Sequence, residues 1–426
     1  MQTSPPRTGR RRLPGWLRTV LTDTRPLQVS PPYRRLFVGN TVAQLGQQMT
    51  NVAVAIQVYG LTHSSFYVGL VGVFGLGPLV VLGLYGGSIS DAMDRRTLAL
   101  IASAGLWVVS IALAVQAFVG LGSVWFLFGC IAVQSGFYAV NNPARSAMVP
   151  RLLDRELIPA AAALNMASFN LGFTFGPMLG ALVIKWHGFG PAYTIDVLTF
   201  TAAYYALIRL PSMPPLANSP RAGLRSVVDG LRFLKGSPNI RMTFVLDLCA
   251  MVLAQPRALF PALAYKVYGG GAAVVGVLQA APAAGAVVAF LFSGWVSKVR
   301  LQGVAIVVAV SVYGLAVGSV GLTDVLWVGV VFLALSGAAD MVSSAYRNTV
   351  LQVAAPDHLR GRLQGVFIVV VAGGPRAGDF LAGSVASGVG ERVALVLGGL
   401  ACIAGVVAAS TLSRRFLGYD ARDPQP

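Results

Sequence analysis

Four aspartates and four arginines sit inside or at the ends of long apolar runs, where a charge is costly unless it is paired or faces water. Asp247 shares a helical face with Met251 and Gln255 and has no cation nearby in its own segment. Asp340 and Arg347 lie seven residues apart on one face of another segment; Arg376 and Asp379 lie three apart, close enough to pair. Arg257 follows Pro256, and Arg145 ends a run of its own. Asp196 lies near the end of an apolar run, from which a side chain can snorkel to the surface. Pairing keeps a carboxylate ionised, whereas partial desolvation without a partner lets it load and unload a proton near the working pH. The candidates for carrying a proton are therefore Asp247 first, then Asp340, then Asp379. Arg145, Arg257, Arg347 and Arg376 are their candidate charge partners. A tertiary contact from Arg145 or Arg257 would remove the advantage of Asp247.

Uncharged polar residues make a second pattern. Asn40, Gln44, Gln47 and Asn51 fall at i, i+4, i+7 and i+11, one face of a helix, and Gln134, Tyr138 and Asn141 repeat the idea. Such amides suit the wall of a cavity that admits varied amphipathic molecules, and equally suit hydrogen bonding between helices. The spacing leaves both open. Cys130, Cys249 and Cys402 lie in apolar runs without CxxC spacing, and His63, His187 and His358 are far apart. No disulfide framework, metal site or catalytic residue is expected. No GxxxxGK[ST] or HExxH occurs, so neither direct ATP drive nor a zinc-helix enzyme is indicated and no cofactor is expected. A membrane-embedded lipid-modifying enzyme is the remote alternative to transport.

Holding these groups in place takes a particular scaffold. The 426 residues are 55% hydrophobic and 11% charged, against about 25% charged in a soluble chain. Mean hydropathy is +0.70. So few charges cannot cover a soluble surface, and the partner implied is a lipid bilayer. The net charge of +17 would suggest nucleic acid in a soluble protein. Here the basic residues cluster between apolar runs and read as topology signals, so no nucleic acid is expected.

Twelve such runs lie near 35–61, 65–90, 97–119, 123–148, 160–184, 191–210, 241–264, 272–296, 303–322, 325–347, 363–388 and 391–412. Each is far longer than a barrel strand of about 10 residues and fits a membrane helix of about 20–25. The expected fold is all-α and integral to the membrane, with two pseudo-symmetric bundles of six helices. Residues 1–34 form an Arg- and Pro-rich tail, 35–210 the first bundle, 211–240 a linker with an amphipathic helix, 241–412 the second bundle, and 413–426 a second tail. With the amino terminus inside, 27 of the 32 Lys and Arg fall on the cytoplasmic side, which puts both termini and the linker in the cytoplasm. An internal repeat supports the two halves. SGFYAVNNPARSAMVP and SGAADMVSSAYRNTVLQVAAP share Ser-Gly at Ser135 and Ser336 and an arginine at Arg145 and Arg347, about half a chain apart.

Two motifs carry a resemblance. Gly87-Ser-Ile-Ser-Asp91-Ala-Met-Asp94-Arg95-Arg96 resembles the loop signature GxxxD(R)xGR(R/K) of the major facilitator superfamily. It departs at Ala92, where a basic residue is usual, and at Asp94, where glycine is usual. Gly172, Gly176, Pro177 and Gly180 resemble the antiporter motif GPxxGG on helix five, with Ala181 in place of the last glycine; small residues at this spacing let helices touch and the proline permits a kink. The DRR ending and the two connections around Arg145 and Arg347 are similar to the enterobactin-exporter and macrolide-efflux branch. That resemblance implies outward transport of small amphipathic molecules driven by protons, by alternating access, in a monomer in the inner membrane of a bacterium. It also implies a cytoplasmic latch of Gly87, Asp91, Arg95 and Arg96. Arg outnumbers Lys 28 to 4, the usage of a GC-rich bacterial coding sequence. Two features of drug antiporters are missing: Ile131 stands where helix four often has arginine, and helix one has no embedded acid. Mechanisms built on those groups do not transfer. An importer or facilitator of the same fold remains the nearest alternative.

Overall fold

The computed structural model describes residues 23–214, 232–354 and 357–420, with side chains for these except 84–92, 297–298, 354, 357–369 and 414. Among them lie eleven continuous long helices and one interrupted one. They are α1 (Pro31–Thr62), α2 (Ser65–Ala92), α3 (Arg95–Val119), α4 (Val124–Leu152), α5 (Ile158–His187), α6 (Phe189–Ile208), an interrupted α7 spanning residues 238–267, α8 (Gly271–Leu291), α9 (Gln302–Val320), α10 (Leu326–Ala354), α11 (Asp357–Val389) and α12 (Glu391–Leu412). Nine of these stretches are long and apolar enough to cross a bilayer. Helices α1 and α6 fall short for a local reason: they carry the amide stripe and Asp196. The protein is an all-helical, multi-pass membrane protein.

Helix ends follow local chemistry. Ser30 caps α1 by accepting from the Tyr33 N–H at 3.2 Å, and proline opens the first turn. The helix therefore starts at Pro31, four residues before the expected boundary, with a short helix Arg25–Val29 ahead of it. The linker is described only at its ends; its central part, 215–231, lies outside the described residues.

Helix α7 is not the continuous run expected over 241–264. Pro238–Leu248 passes into a π-helical turn at Cys249–Leu253, breaks before Pro256, and resumes through a 3-10 turn at Arg257–Leu259. Pro256 has no N–H to donate and its ring crowds the preceding turn, so the ladder cannot run through it.

The packing repeats. Helix α1 lies on α5 and α6, α2 on α4, and α3 on α4 and α6; α7 lies on α11 and α12, α8 on α10, and α9 on α10 and α12. Adding six to each helix of the first set gives the second, which is the pseudo-symmetry of two six-helix bundles. The halves meet where α2 crosses α11 and α5 crosses α8. Glycine allows this approach. Gly69 and Gly72 sit against the carbonyls of Asp379 and Arg376, and Gly276 against Ala181 and the Pro177 carbonyl.

Candidate functional site

In the second half, Arg347 of α10 is clasped by two acids. Its Nη1 donates to Asp247 of α7, and its Nη2 lies 3.3 Å from Asp340 Oδ1. Arg347 and Asp247 side chains are each 5% exposed, while that of Asp340 is 39% exposed. The sequence leaves Asp247 without a partner in its own segment, and the expectation built on that is corrected: Arg347, 100 residues further on, pairs with it, so the lack of a cation no longer sets it apart from Asp340. The pairing of Asp340 with Arg347 across two helical turns is present as expected.

The first half holds Arg145 at the repeat-related position, in different company. It is 8% exposed and donates to Asn141 Oδ1 (3.2 Å), Asn40 Oδ1 (3.1 Å) and Ser103 Oγ (3.0 Å). These partners come from α4, α1 and α3, and none is charged. Two amides of the polar stripes thus serve an arginine. Their helices come together because Gly39 lets α1 lie on α6 and Gly105 lets α3 accept Phe137 of α4.

The other stripe residues separate. Asn51 donates to Gln48 Oε1 at 3.1 Å, with Gln47 3.5 Å from Asn51. Gln44 fills the space over Gly172, while Gly176 meets Gln48 and Leu45, and Gly180 meets Met49, so the helix-five motif packs α5 onto α1. Gln134 is buried with its amide nitrogen unpartnered, and Tyr138 is half-exposed. Met251 and Gln255 pack on Gly374 and Gly378 of α11, and Gln255 borders a small apolar cavity of about 180 Å³ inside the second half.

Arg376 and Asp379 turn to different partners rather than to each other. Arg376 donates to the Ala372 carbonyl at 2.7 Å, and its side chain runs beside Gly75 next to Ser135 of α4. Asp379 receives the Ala258 N–H and faces Arg257, both presented by the break in α7, while its Oδ1 has no hydrogen-bond partner. Arg257 in turn lies 5.8 Å from the centre of the Phe173 ring, which stacks on Phe169 at 4.3 Å. Asp196 does not snorkel. It is fully buried between α1, α3 and α6, with Ser110 Oγ 2.7 Å from its Oδ2.

Of the loop signature, Gly87 and Asp91 fall in the stretch 84–92, whose side chains lie outside those described. Arg95 donates to the Ala147 carbonyl (2.9 Å) and Arg96 to that of Ile208 (2.6 Å), so both arginines tie α3 to α4 and α6 of the same half. Asp94, the departure from the usual glycine, caps α3 through the Thr97 N–H (2.9 Å) and holds Ser212 Oγ and the Met213 N–H, both at 2.6 Å. Burial works to raise its carboxyl, but these hydrogen bonds prevail and hold it below the ordinary value. At the opposite end, Glu391 accepts from Lys266 at 2.8 Å and from Ser65 at 3.0 Å, and Tyr59 stacks on Tyr265, joining the two halves. Among the described residues no group of acids, histidines or cysteines could hold a metal, and the three cysteines are free and buried.

Two repeat-related bundles with buried charges at their centres define a transporter of the major facilitator type. The chain belongs to the transmembrane secretion effector family of that superfamily, whose model matches residues 23–424. It is 29% identical to the enterobactin exporter of Citrobacter koseri over 402 residues, 94% of this chain and 95% of that one. The enterobactin exporter of Shigella boydii is likewise 29% identical, covering 84% of this chain and 86% of its own. In fold it matches a peptide transporter of the POT family solved with alafosfalin, with a TM-score of 0.74 at 12% identity over 92% of this chain and 96% of that one. The relatives are transporters, not enzymes.

Proposed function

We propose that this protein exports a small amphipathic molecule of siderophore or drug type across a bacterial inner membrane, driven by proton entry, with both termini and the linker in the cytoplasm. The named relatives make enterobactin the first compound to test. The observation that carries the proton reading is the sharing of Arg347 between Asp247 and Asp340 from two helices. Protonating Asp247 withdraws one claim on the arginine, leaves it to Asp340, and frees α7, whose break at Pro256 makes it the deformable helix. Asp340, more than a third exposed, is the group through which protons reach the buried pair. The halves then rock about the glycine contacts of α2 with α11 and α5 with α8, in alternating access. Asp91 and Arg95 act as a conformational latch rather than as substrate contacts.

The test uses protein reconstituted in vesicles with an imposed pH gradient. Asp247→Asn should abolish uphill, pH-driven efflux while leaving downhill substrate exchange measurable. Full pH-driven efflux by that variant would remove Asp247 from the mechanism, and inward accumulation would make the protein an importer. Single cysteines in the linker, in a Cys-free background, should resist an impermeant thiol reagent added to intact cells; ready labelling would overturn the orientation.

A further inference from the structure

The seam between α1, α3 and α6 contains a carboxyl that the reading above leaves unused. Asp196 is fully buried, and its Oδ1 has no hydrogen-bond partner. Gly46 of α1 makes room for it: a methyl group there would fall 2.6 Å from Oδ1 and collide with Thr199. Around the carboxyl stand Thr50 of α1, Ser110 of α3, and Thr199 on the next turn of α6. Thr50 Oγ1 is buried and faces the carboxyl, its proton not taken by any other acceptor. The titratable neighbours are Tyr193 on α6, whose hydroxyl donates to Gln57 Oε1 at 2.7 Å, and Cys130 of α4 beside that tyrosine. Neither is a cation. Arg145 is held at Ser103, seven residues along α3 from Ser110, or about 10 Å along the helix axis, and is engaged by its three neutral acceptors.

Counting hydroxyl protons shows what this pocket accepts. Ser110 has one proton, and the Leu106 carbonyl of the preceding turn lies 3.2 Å from its Oγ. Thr199 directs its own proton to the backbone carbonyl of Asp196 at 2.8 Å. Ser110 Oγ donates to Asp196 Oδ2 at the shorter distance of 2.7 Å, so one hydroxyl proton and, from Thr50, at most a second reach the carboxyl. Hydroxyls without a cation are all that would offset a carboxylate here, whereas a carboxylic acid enters the same hydroxyl cluster with no charge to offset. Burial of an unpaired negative charge argues the same way.

We propose that Asp196 is a proton-binding site in the first half, occupied while α1 lies against α6, and emptied when α1 moves away and water reaches the carboxyl. Helix α1 joins this site to the transport path, because Gly46 and Thr50 face Asp196 while Gln44 and Gln48 of the same helix pack on α5. The site lies in the opposite half from Asp247 and does not depend on the role given to that residue.

The test is infrared difference spectroscopy of the full-length protein in lipid vesicles, with hydrogen exchanged for deuterium. At neutral pH a protonated-carboxyl stretching band should be present in the wild type and in Asp247→Asn, and absent from Asp196→Asn. Ser110→Ala, which keeps the acid and removes its partner, should shift that band. A spin-label pair across α1 and α6 should report a separation that changes with pH in the wild type and not in Asp196→Asn. A band unchanged in Asp196→Asn and Ser110→Ala overturns the proposal, as does a pH response that survives in Asp196→Asn. Loss of the band in Asp247→Asn alone overturns this assignment while leaving the export reading intact.

Discussion

Arg145 and Arg347 occupy the same place in the two repeats, yet the surroundings of each are built from different chemistry. Asn40, Asn141 and Ser103 satisfy the first guanidinium with three neutral acceptors. Asp247 and Asp340 satisfy the second with two acids. Asn40 and Asp247 even stand at matching positions, nine residues past the proline that opens each helix. A cage of amides does not change with pH. A cage of carboxylates does, and adding a proton changes which acid holds the arginine. The difference teaches that duplication supplied two buried arginine sites with different partners, three neutral acceptors in one and two carboxylates in the other; under the proposed function the first is a fixed strut and the second a switch. Asp196 gives the first half a proton site of another kind, away from its arginine.

If the second cage is ionic and the first is not, removing each arginine should cost different amounts. Arg347→Ala leaves a buried carboxylate uncompensated and should lower stability by about 3–5 kcal/mol, seen as a large fall in melting temperature in detergent, with transport lost. Arg145→Met takes the donor from Asn40 and Ser103 and leaves Asn141 Oδ1 only the Ser103 hydroxyl at 3.3 Å; it should cost about 1–3 kcal/mol by the same measurement, with the pH dependence of transport retained. Equal losses would erase the distinction between the two cages.

The Ser-Gly steps of the repeat offer a smaller contrast. A methyl group at Gly337 would collide with the backbone carbonyl of Pro282, whereas at Gly136 it meets the end of the Leu82 side chain at 2.8 Å. Leucine can turn aside and a carbonyl in a helix cannot. Gly337→Ala should therefore destabilise by about 1–3 kcal/mol, and Gly136→Ala by clearly less on the same thermal scan.

The smallest effect concerns Asp94, which belongs to the first half alone. Its carboxyl titrates below the ordinary value when folded, so its stabilisation is fully present above the unfolded value of 3.8 and is lost as pH falls through the lower folded one. Asp94→Asn should remove that acid-labile part, leaving melting temperature less dependent on pH below about 4. An unchanged acid profile would mean that the cap on α3 contributes nothing to stability.

Hydropathy is a property of consecutive residues, and so the helices were legible from the chain alone: α2, α9 and α12 lie within two residues of their expected limits. The Ser-Gly and arginine repeat likewise announced two related halves, and the glycine spacing of helix five announced a close helix contact. What the chain could not express was which distant residues meet. The partner of Asp247 is 100 residues away, and a pairing at that separation is set by how α7 and α10 pack, not by any local pattern. The same holds for Asn40 and Asn141, whose helical spacing suited a cavity wall and a helix contact equally until α1, α3 and α4 closed around Arg145. Pro256 was visible, but only the packing of α11 behind the break shows that the freed Ala258 N–H is turned toward Asp379. Asp196 looked free to reach the surface because its run ends nearby. The tertiary structure decided otherwise, since Gly46, Thr50 and Ser110 come from two other helices, and only their meeting makes a closed pocket around the acid.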